Sequence, residues 1–395
     1  MNKLLRTPGA GFWAALLAVA PMPAFAEDGE EKRDPIDVSV SYVVDMVGVW
    51  ADGRPAEPYA LDDLNVAATL DLDALAGWKG ATFYADVLNN LGGVPNDRAG
   101  TLQGIDNIEV ASHRLRLFEA WLEQKLGKRT SVRVGLYDLN SEFYANDSAG
   151  LLVAPAFGVG SEIAATGPNG PSIFPSTALA VRIEQGVGKS GYVRAAILNA
   201  TAGTLGDPQG VNLTFDDGAL LIGEAGVAGE QGKIGIGLWR YTLLQDDIYA
   251  VDPAGDPLQR RAQGIYVVAE RPLGDPDAVR AVSIFARAGI SDGHTTAFKG
   301  GWQAGMLVSK VLASRPDSQL SLGMNQGFVS EGYRQSLRDA GMRTTAAETA
   351  FELTYADKVA KFLTLQPDLQ LVLDRAGEKG ADPVVMAGLR ASFEF

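Results

Sequence analysis

The chain has 395 residues, 46% of them hydrophobic and 21% charged, with a net charge of -14. That acidic balance excludes the cationic footprint that nucleic acid requires. The lack of cysteine excludes disulfides, thiolate nucleophiles and cysteine metal sites, and two histidines, His113 and His294, give little scope for histidine chemistry. No cofactor is implied.

The N-terminus carries Lys3 and Arg6, then the apolar run "GFWAALLAVA" (Gly11–Ala20), then "AFA" (Ala24–Ala26). A positive head, a short apolar middle and a small-x-small exit describe a cleavable export signal, with the cut after Ala26. Residues 1–26 are thus expected to be signal, 27–35 a short N-terminal segment, and 36–395 one folded unit. Nowhere does an unbroken apolar run reach the roughly 18 residues of a membrane-spanning helix.

Beyond that point, period-2 alternation dominates. In "IDVSVSYVVDM", Val38, Val40, Tyr42, Val44 and Met46 oppose Asp37, Ser39, Ser41 and Asp45; in "LNVAATLDLD", Leu64, Val66, Ala68 and Leu70 oppose Asn65, Thr69 and Asp71. Near the end, "LTLQPDLQLVL" sets Leu369 and Leu371 against Gln366, Asp368 and Gln370. Residues at i and i+2 share one face of a strand, so each segment has an apolar wall and a polar wall.

The connections alternate between short and long. Short turns fall at Gly77–Gly80, Gly127–Arg129, Gln185–Gly191, Gly229–Gly232, Pro272–Asp277, Ser314–Asp317 and Ala356–Lys361. Longer, Gly-rich connections cover Asn89–Ser112, Asp138–Pro175, Tyr241–Gln263 and Gln326–Ala346. About sixteen strands so joined predict an all-β fold, a transmembrane antiparallel β-barrel with short periplasmic turns and long external loops. A soluble β-sandwich shows no such rhythm, and at this length it would split into two domains; no linker is present. The Asp138–Pro175 connection holds Leu151, Leu152, Val153 and Phe157, an apolar load that predicts folding into the barrel rather than exposure.

Parity assigns faces, because Arg or Lys facing lipid at mid-bilayer costs about 2–4 kcal/mol. Arg182 alternates with Val181 and Ile183, Arg194 with Val193 and Ala195, and Arg390 with Leu389 and Ala391, so each looks into the lumen. Glu119, Trp121 and Glu123 oppose Phe118, Ala120 and Leu122; Glu352 opposes Phe351 and Leu353; Asp368 opposes Leu369. The candidate pore-lining set is Glu119, Trp121, Arg133, Asp138, Asn140, Arg182, Arg194, Glu352, Asp368 and Arg390. A lining of both signs suits a neutral polyol that exchanges water for fixed hydrogen-bonding groups, whereas a single-signed lining favours ions. Trp121, Tyr137 and Tyr192 offer ring faces for a pyranose.

Two enzyme-like patterns fail on spacing. Glu119 and Glu123 lie about 13 Å apart along a strand, too far for a glycosidase pair. "QGVGKSG" has Ile183 where a phosphate loop needs its first glycine, and reads as a hairpin turn.

The chain ends in "GLRASFEF", with Leu389, Ala391, Phe393 and Phe395 on one face. A barrel has no free edge, so this strand must close on the first, with Phe395 at the interfacial aromatic girdle. The stretch "ETAFELTYADKVAKFLTLQPDLQLVLDRAGEKGADPVVMAGLRASFEF" (Glu348–Phe395) resembles the end of the OprB-type carbohydrate-selective outer-membrane porins. "LDLDALAGWKGATFYAD", "LFEAWLEQKL", "RVGLYDLNSEF" and "GYVRAAILNATAG" extend the resemblance over nearly all of the exported chain. It implies passive diffusion of mono- or disaccharides across the outer membrane, no enzymatic step, contact with outer-membrane lipid, and recognition of Phe395 by the barrel assembly machinery. A general porin of low selectivity and a barrel hydrolase are the competing readings.

Overall fold

A computed structural model of the chain describes residues 34–395 apart from Asp277. The expected signal, residues 1–26, and residues 27–33 lie outside the described residues. The first nine strands are Ile36–Trp50 (β1), Glu57–Asp71 (β2), Ala81–Gly92 (β3), Arg114–Lys125 (β4), Thr130–Tyr137 (β5), Ala178–Val187 (β6), Gly191–Asn199 (β7), Ala219–Gly229 (β8) and Gly232–Tyr241 (β9). A small separate sheet pairs Gln245–Val251 (β10) with Pro257–Arg260 (β11). The remaining strands are Gln263–Leu273 (β12), Ala281–Ser291 (β13), Phe298–Ser309 (β14), Gln319–Val329 (β15), Ala347–Ala360 (β16), Leu363–Leu373 (β17) and Val384–Glu394 (β18).

All strands except β10 and β11 form one closed antiparallel barrel of 16, each paired with its chain neighbour, with β9 passing directly to β12. The last strand closes on the first, from Ser41 opposite Glu394 to Trp50 opposite Val385. At that seam the Phe395 N–H donates to Val40 O at 3.0 Å, and the Val40 N–H donates back at 3.3 Å. The Phe395 ring stacks on Phe362, with centroids 6.2 Å apart. Every backbone group of a lipid-embedded wall needs a partner, and this reciprocal pair extends the closure to the terminal residue.

Turns at one end are tight. β6 and β7 are joined by residues 188–190, with Gly188 at φ +62° supplying the left-handed residue. β16 runs on to Ala360, so the turn expected over Ala356–Lys361 contracts to Lys361 and Phe362.

The alternation translates into faces. On β17 Leu369 and Leu371 are exposed outward while Gln366, Asp368 and Gln370 are buried inside. On β6 and β7 Val181, Ile183, Val193 and Ile197 stay exposed while Arg182 is 2% exposed. One local reading is corrected. Phe118 was expected opposite Glu119, but the β3–β4 register steps from Asp86/Glu119 to Val87/Leu117, leaving Phe118 as an extra residue. Such a bulge places two consecutive side chains on one side, and Phe118 packs inside against Leu88, Val110 and Phe174.

Two connections at the other end turn back into the barrel. Residues 138–177 pack Leu139, Phe143, Tyr144 and Ile163 against inward-facing Leu198, Leu220, Trp239 and Tyr266, and Leu152 and Phe157 against Phe285. The second is residues 93–113, expected as a polar external loop. Its Ile105 and Ile108 are buried against Val47, Val49, Ala350, Val372 and Met386. The inner wall is therefore apolar wherever an inserted segment needs a core.

Candidate pore constriction

Strand register builds an array of guanidinium groups on one wall. Arg133 of β5 lies directly opposite Arg182 of β6, and Arg194 of β7 lies opposite Glu184 of β6 and Glu224 of β8. Carboxylates interleave them. Glu123 Oε2 is 2.7 Å from Arg133 and 3.0 Å from Arg182. Glu142, from the inserted segment, is 2.6 Å from Arg182 and 3.7 Å from Arg133. Arg194 pairs with Glu184 at 2.8 Å and donates to the Glu142 carbonyl. Burial alone would raise the Glu142 carboxyl, but Arg133, Arg182 and Arg194 together hold it down to about 2.

Beside this array, Glu119 Oε2 accepts from Trp121 Nε1 at 3.1 Å and from the Asp138 N–H at 3.0 Å. The Trp121 ring carries the Arg133 guanidinium at 3.8 Å from its centroid and stacks on Tyr84 at 5.0 Å. Trp121 and Tyr137 were expected to offer free faces; both are buried, and Trp121 instead braces Arg133. Tyr192 likewise lies under Arg194, 4.9 Å from its ring centroid. Asp138 caps a short 3₁₀ turn by accepting from the Asn140 N–H at 2.8 Å. Asn140 donates to Phe143 O at 3.1 Å and Gly158 O at 3.0 Å, so it ties the inserted segment to itself.

The remaining candidates sit on the β16–β18 side and also hold the insertions. Glu352 accepts from the Val153 and Ala154 N–H groups. Neighbouring Glu348 accepts from Leu102 at 2.9 Å, Gln103 at 3.0 Å and Ala376 at 2.7 Å. Asp368 accepts from Gln370 at 3.0 Å, and Gln370 also donates to Ile105 O at 2.8 Å. Arg390 pairs with Asp45 at 2.6 Å and donates to Asn107 Oδ1 at 2.6 Å. The ten candidates thus fall into two groups, one at the arginine array with the start of the 138–177 segment, the other at its far anchorage and that of 93–113.

Sequence reasoning missed several partners. Glu142 lies outside any alternating strand, so parity had no purchase on it. Arg287 alternates with Ala286 and Ala288 on β13 and was accessible to that test. It donates to Tyr144 O at 2.8 Å and Gly158 O at 2.6 Å. Glu224, which accepts from Tyr266 at 2.7 Å and Tyr192 at 2.8 Å, lies in a glycine-diluted strand with weak contrast.

Comparison with known proteins agrees with this architecture. The family described as carbohydrate-selective porin, OprB family, matches residues 58–395. The chain belongs to the OprB family. It is an outer-membrane sugar porin. Porin B of Pseudomonas aeruginosa is 23% identical over 374 residues, covering 85% of this chain and 81% of that protein. The high-pH structure of Pseudomonas putida OprB superposes with a TM-score of 0.80 at 21% identity, covering 91% of this chain and 94% of the other. The outer-membrane channel DcaP of Acinetobacter baumannii gives 0.57 at 12% identity over 91% and 97% of the two chains. These two likenesses concern the fold. Within the OprB architecture, the arginine array and the two insertions share the inside of this barrel.

Proposed function

We propose that this porin selects neutral mono- or disaccharides at the cross-section where the 138–177 segment meets the β4–β7 wall. The single supporting observation is the Arg133–Arg182–Arg194 array interleaved with Glu123, Glu142 and Glu184. Charges of both signs locked against each other form a lattice of oriented donors and acceptors with little net field. A hydroxyl-rich solute replaces water on such a lattice at small cost, whereas an ion gains little. Entry is favourable and exit easy, which is the condition for passive flux.

Glu352 accepts from two backbone N–H groups of the inserted segment, and Asp368 accepts from Gln370, which also holds Ile105 of the other insertion, a role as anchors that favours diffusion over hydrolysis. The exposed band including Val181, Ile183, Ile234, Ile236 and Leu238 meets outer-membrane lipid, and Phe395 serves as the signal for the barrel assembly machinery.

Liposome swelling tests the selectivity. Monosaccharides and disaccharides should enter faster than size-matched non-carbohydrate solutes, and glucose should reduce single-channel ion current. Equal swelling by size-matched solutes would leave a general porin. Release of reducing sugar from an oligosaccharide would replace diffusion by hydrolysis.

A further inference from the structure

The outer wall of the barrel is not uniform. Between β12 and β15 it dips into an open apolar groove of about 260 Å³, lined by Ile265, Val267, Ala288, Ile290, Trp302 and Phe328, among others. Register explains the dip. Val267, Ala288 and Trp302 form one cross-strand row, and Ile265 lies opposite Ile290 in a neighbouring row, so a methyl group sits between large side chains. The far rim is fixed, because Trp302 Nε1 donates to Gln326 Oε1 at 3.3 Å and Gln326 donates to Thr349 at 2.9 Å. Polar groups on a lipid-facing wall are thereby satisfied within the wall.

Strand register puts two exposed cations near one end of this groove. Arg240 is outward on β9 and pairs with Gln263, two residues and about 7 Å along the strand from Ile265. Lys299 occupies the irregular step between Phe298 and Gly300, and Gly300 is the register partner of both Ile290 and Phe328. Arg240 has no hydrogen-bond or ion-pair partner among the described residues, and Lys299 makes no hydrogen bond there, only a longer-range attraction to the Glu331 carboxylate. The nearby carboxylates are engaged elsewhere. Asp292 accepts from the His294 and Thr295 N–H groups at 2.9 and 3.0 Å, and Glu331 is bridged to Arg334 and Arg338 at 3.1 and 2.7 Å. From β9 through β12 and β13 to β14 is three strand spacings, about 14 Å.

We propose that this face binds one molecule of a phosphorylated glycolipid from the surrounding leaflet, with an acyl chain in the Ala288 groove and phosphates on Arg240 and Lys299. In a chain of net charge -14, two exposed cations, one without a partner and one with only a longer-range carboxylate neighbour, match an anion held at the membrane surface. One phosphodiester reaches a single cation; a disaccharide headgroup with a phosphate at each end reaches both.

The test uses the delipidated full-length porin in detergent and native mass spectrometry. The probes are bisphosphorylated lipid A, its dephosphorylated counterpart and phosphatidylethanolamine. A one-to-one adduct is expected with the bisphosphorylated lipid and not with the other two. Each cation near a charged interface is worth about fivefold, so the Arg240→Ala/Lys299→Ala pair should weaken binding about twenty-fivefold, and Ala288→Phe should abolish it by filling the groove. The charge-keeping pair Arg240→Lys/Lys299→Arg should retain the adduct. Unchanged single-channel conductance and heat-modifiable migration identify folded variants. Equal retention of the dephosphorylated lipid, or full retention by the alanine pair, overturns the proposal. So does a dimer mass without lipid, which would make the groove a contact between copies.

Discussion

Arg133 and Arg182 stand directly opposite each other across the β5–β6 pair, two buried guanidiniums where cross-strand neighbours of like charge repel. They are tolerated because Glu123 lies against both and Glu142 reaches in from the 138–177 segment to join them. The segment is thus bound to the wall by the charge that the wall lacks, and its seating and the electrostatics of the lumen are one property.

Glu142→Gln should therefore release the segment as well as remove a charge. Breaking one partner of a buried ionic group costs about 3–5 kcal/mol, somewhat less here because the Glu142 side chain keeps 17% exposure. Single-channel conductance should rise and anion preference increase. Acid should mimic the variant. The Glu142 carboxyl is held at about 2 against a usual 4.5, so its contribution is complete above about pH 4.5 and lost as pH falls towards 2. A conductance series from pH 7 to 2 that stayed flat would refute this role.

Glu162 should produce the opposite dependence. It is buried in the same segment, accepts from the Tyr144 hydroxyl, and burial pushes its carboxyl up to about 7 although Arg287 pulls it down. The seated segment then binds a proton that a released one gives up near 4.5. Its contribution is complete below about pH 4.5 and lost as pH rises through 7, on the order of 3 kcal/mol. Open-channel noise should increase between pH 5 and 8 and become pH-independent in Glu162→Gln. Noise that keeps its pH dependence in that variant would assign it to another group.

Deleting Phe395 should impair closure of the barrel. The residue exchanges two backbone hydrogen bonds with Val40 and stacks on Phe362, and an unpaired backbone group facing lipid costs several kcal/mol. Less protein should reach the heat-modifiable folded form in outer-membrane fractions, whereas Phe395→Tyr should assemble normally. Assembly of the deletion variant at the full level would remove both the closure and the recognition roles.

The barrel was legible because lipid outside and water inside impose opposite demands on alternate residues, as Leu369, Asp368 and Leu371 display on β17. Legibility failed where the inside was not water. Leu198, Leu220, Trp239, Tyr266 and Phe285 face inward yet are apolar because an inserted segment packs on them. Leu152, Val153 and Phe157 announced one insertion by their hydrophobicity. The 93–113 insertion was hidden because Glu109, Asp106, Asn107 and Gln103, all buried, read as an exposed polar loop. The bonds from Gln103 to Glu348 and from Arg390 to Asn107 are tertiary facts with no local pattern. Arg182, Arg194 and Arg390 share the polar parity of their strands, but their partner carboxylates arrive from other strands or from loops.

Glycines in the wall give the sharpest test of the insertion. Gly323 lies inward on β15, opposite Glu352, the residue that accepts from Val153 and Ala154. A Cβ built on it would come within 2.5 Å of the Phe157 ring and 2.7 Å of Leu152 Cδ1. The nearest atoms all belong to the insertion, so the conflict falls first on it rather than on the strand. Gly323→Val should cost about 1–3 kcal/mol by overpacking, borne by the segment rather than the barrel. Heat-modifiable folding should survive, the residue 151–157 stretch should become accessible to protease, and conductance should rise. Combining Gly323→Val with Phe157→Ala removes the clashing ring and should restore part of the protection and lower the conductance again. Low conductance in the single variant with no new cleavage would mean that the segment does not limit the pore.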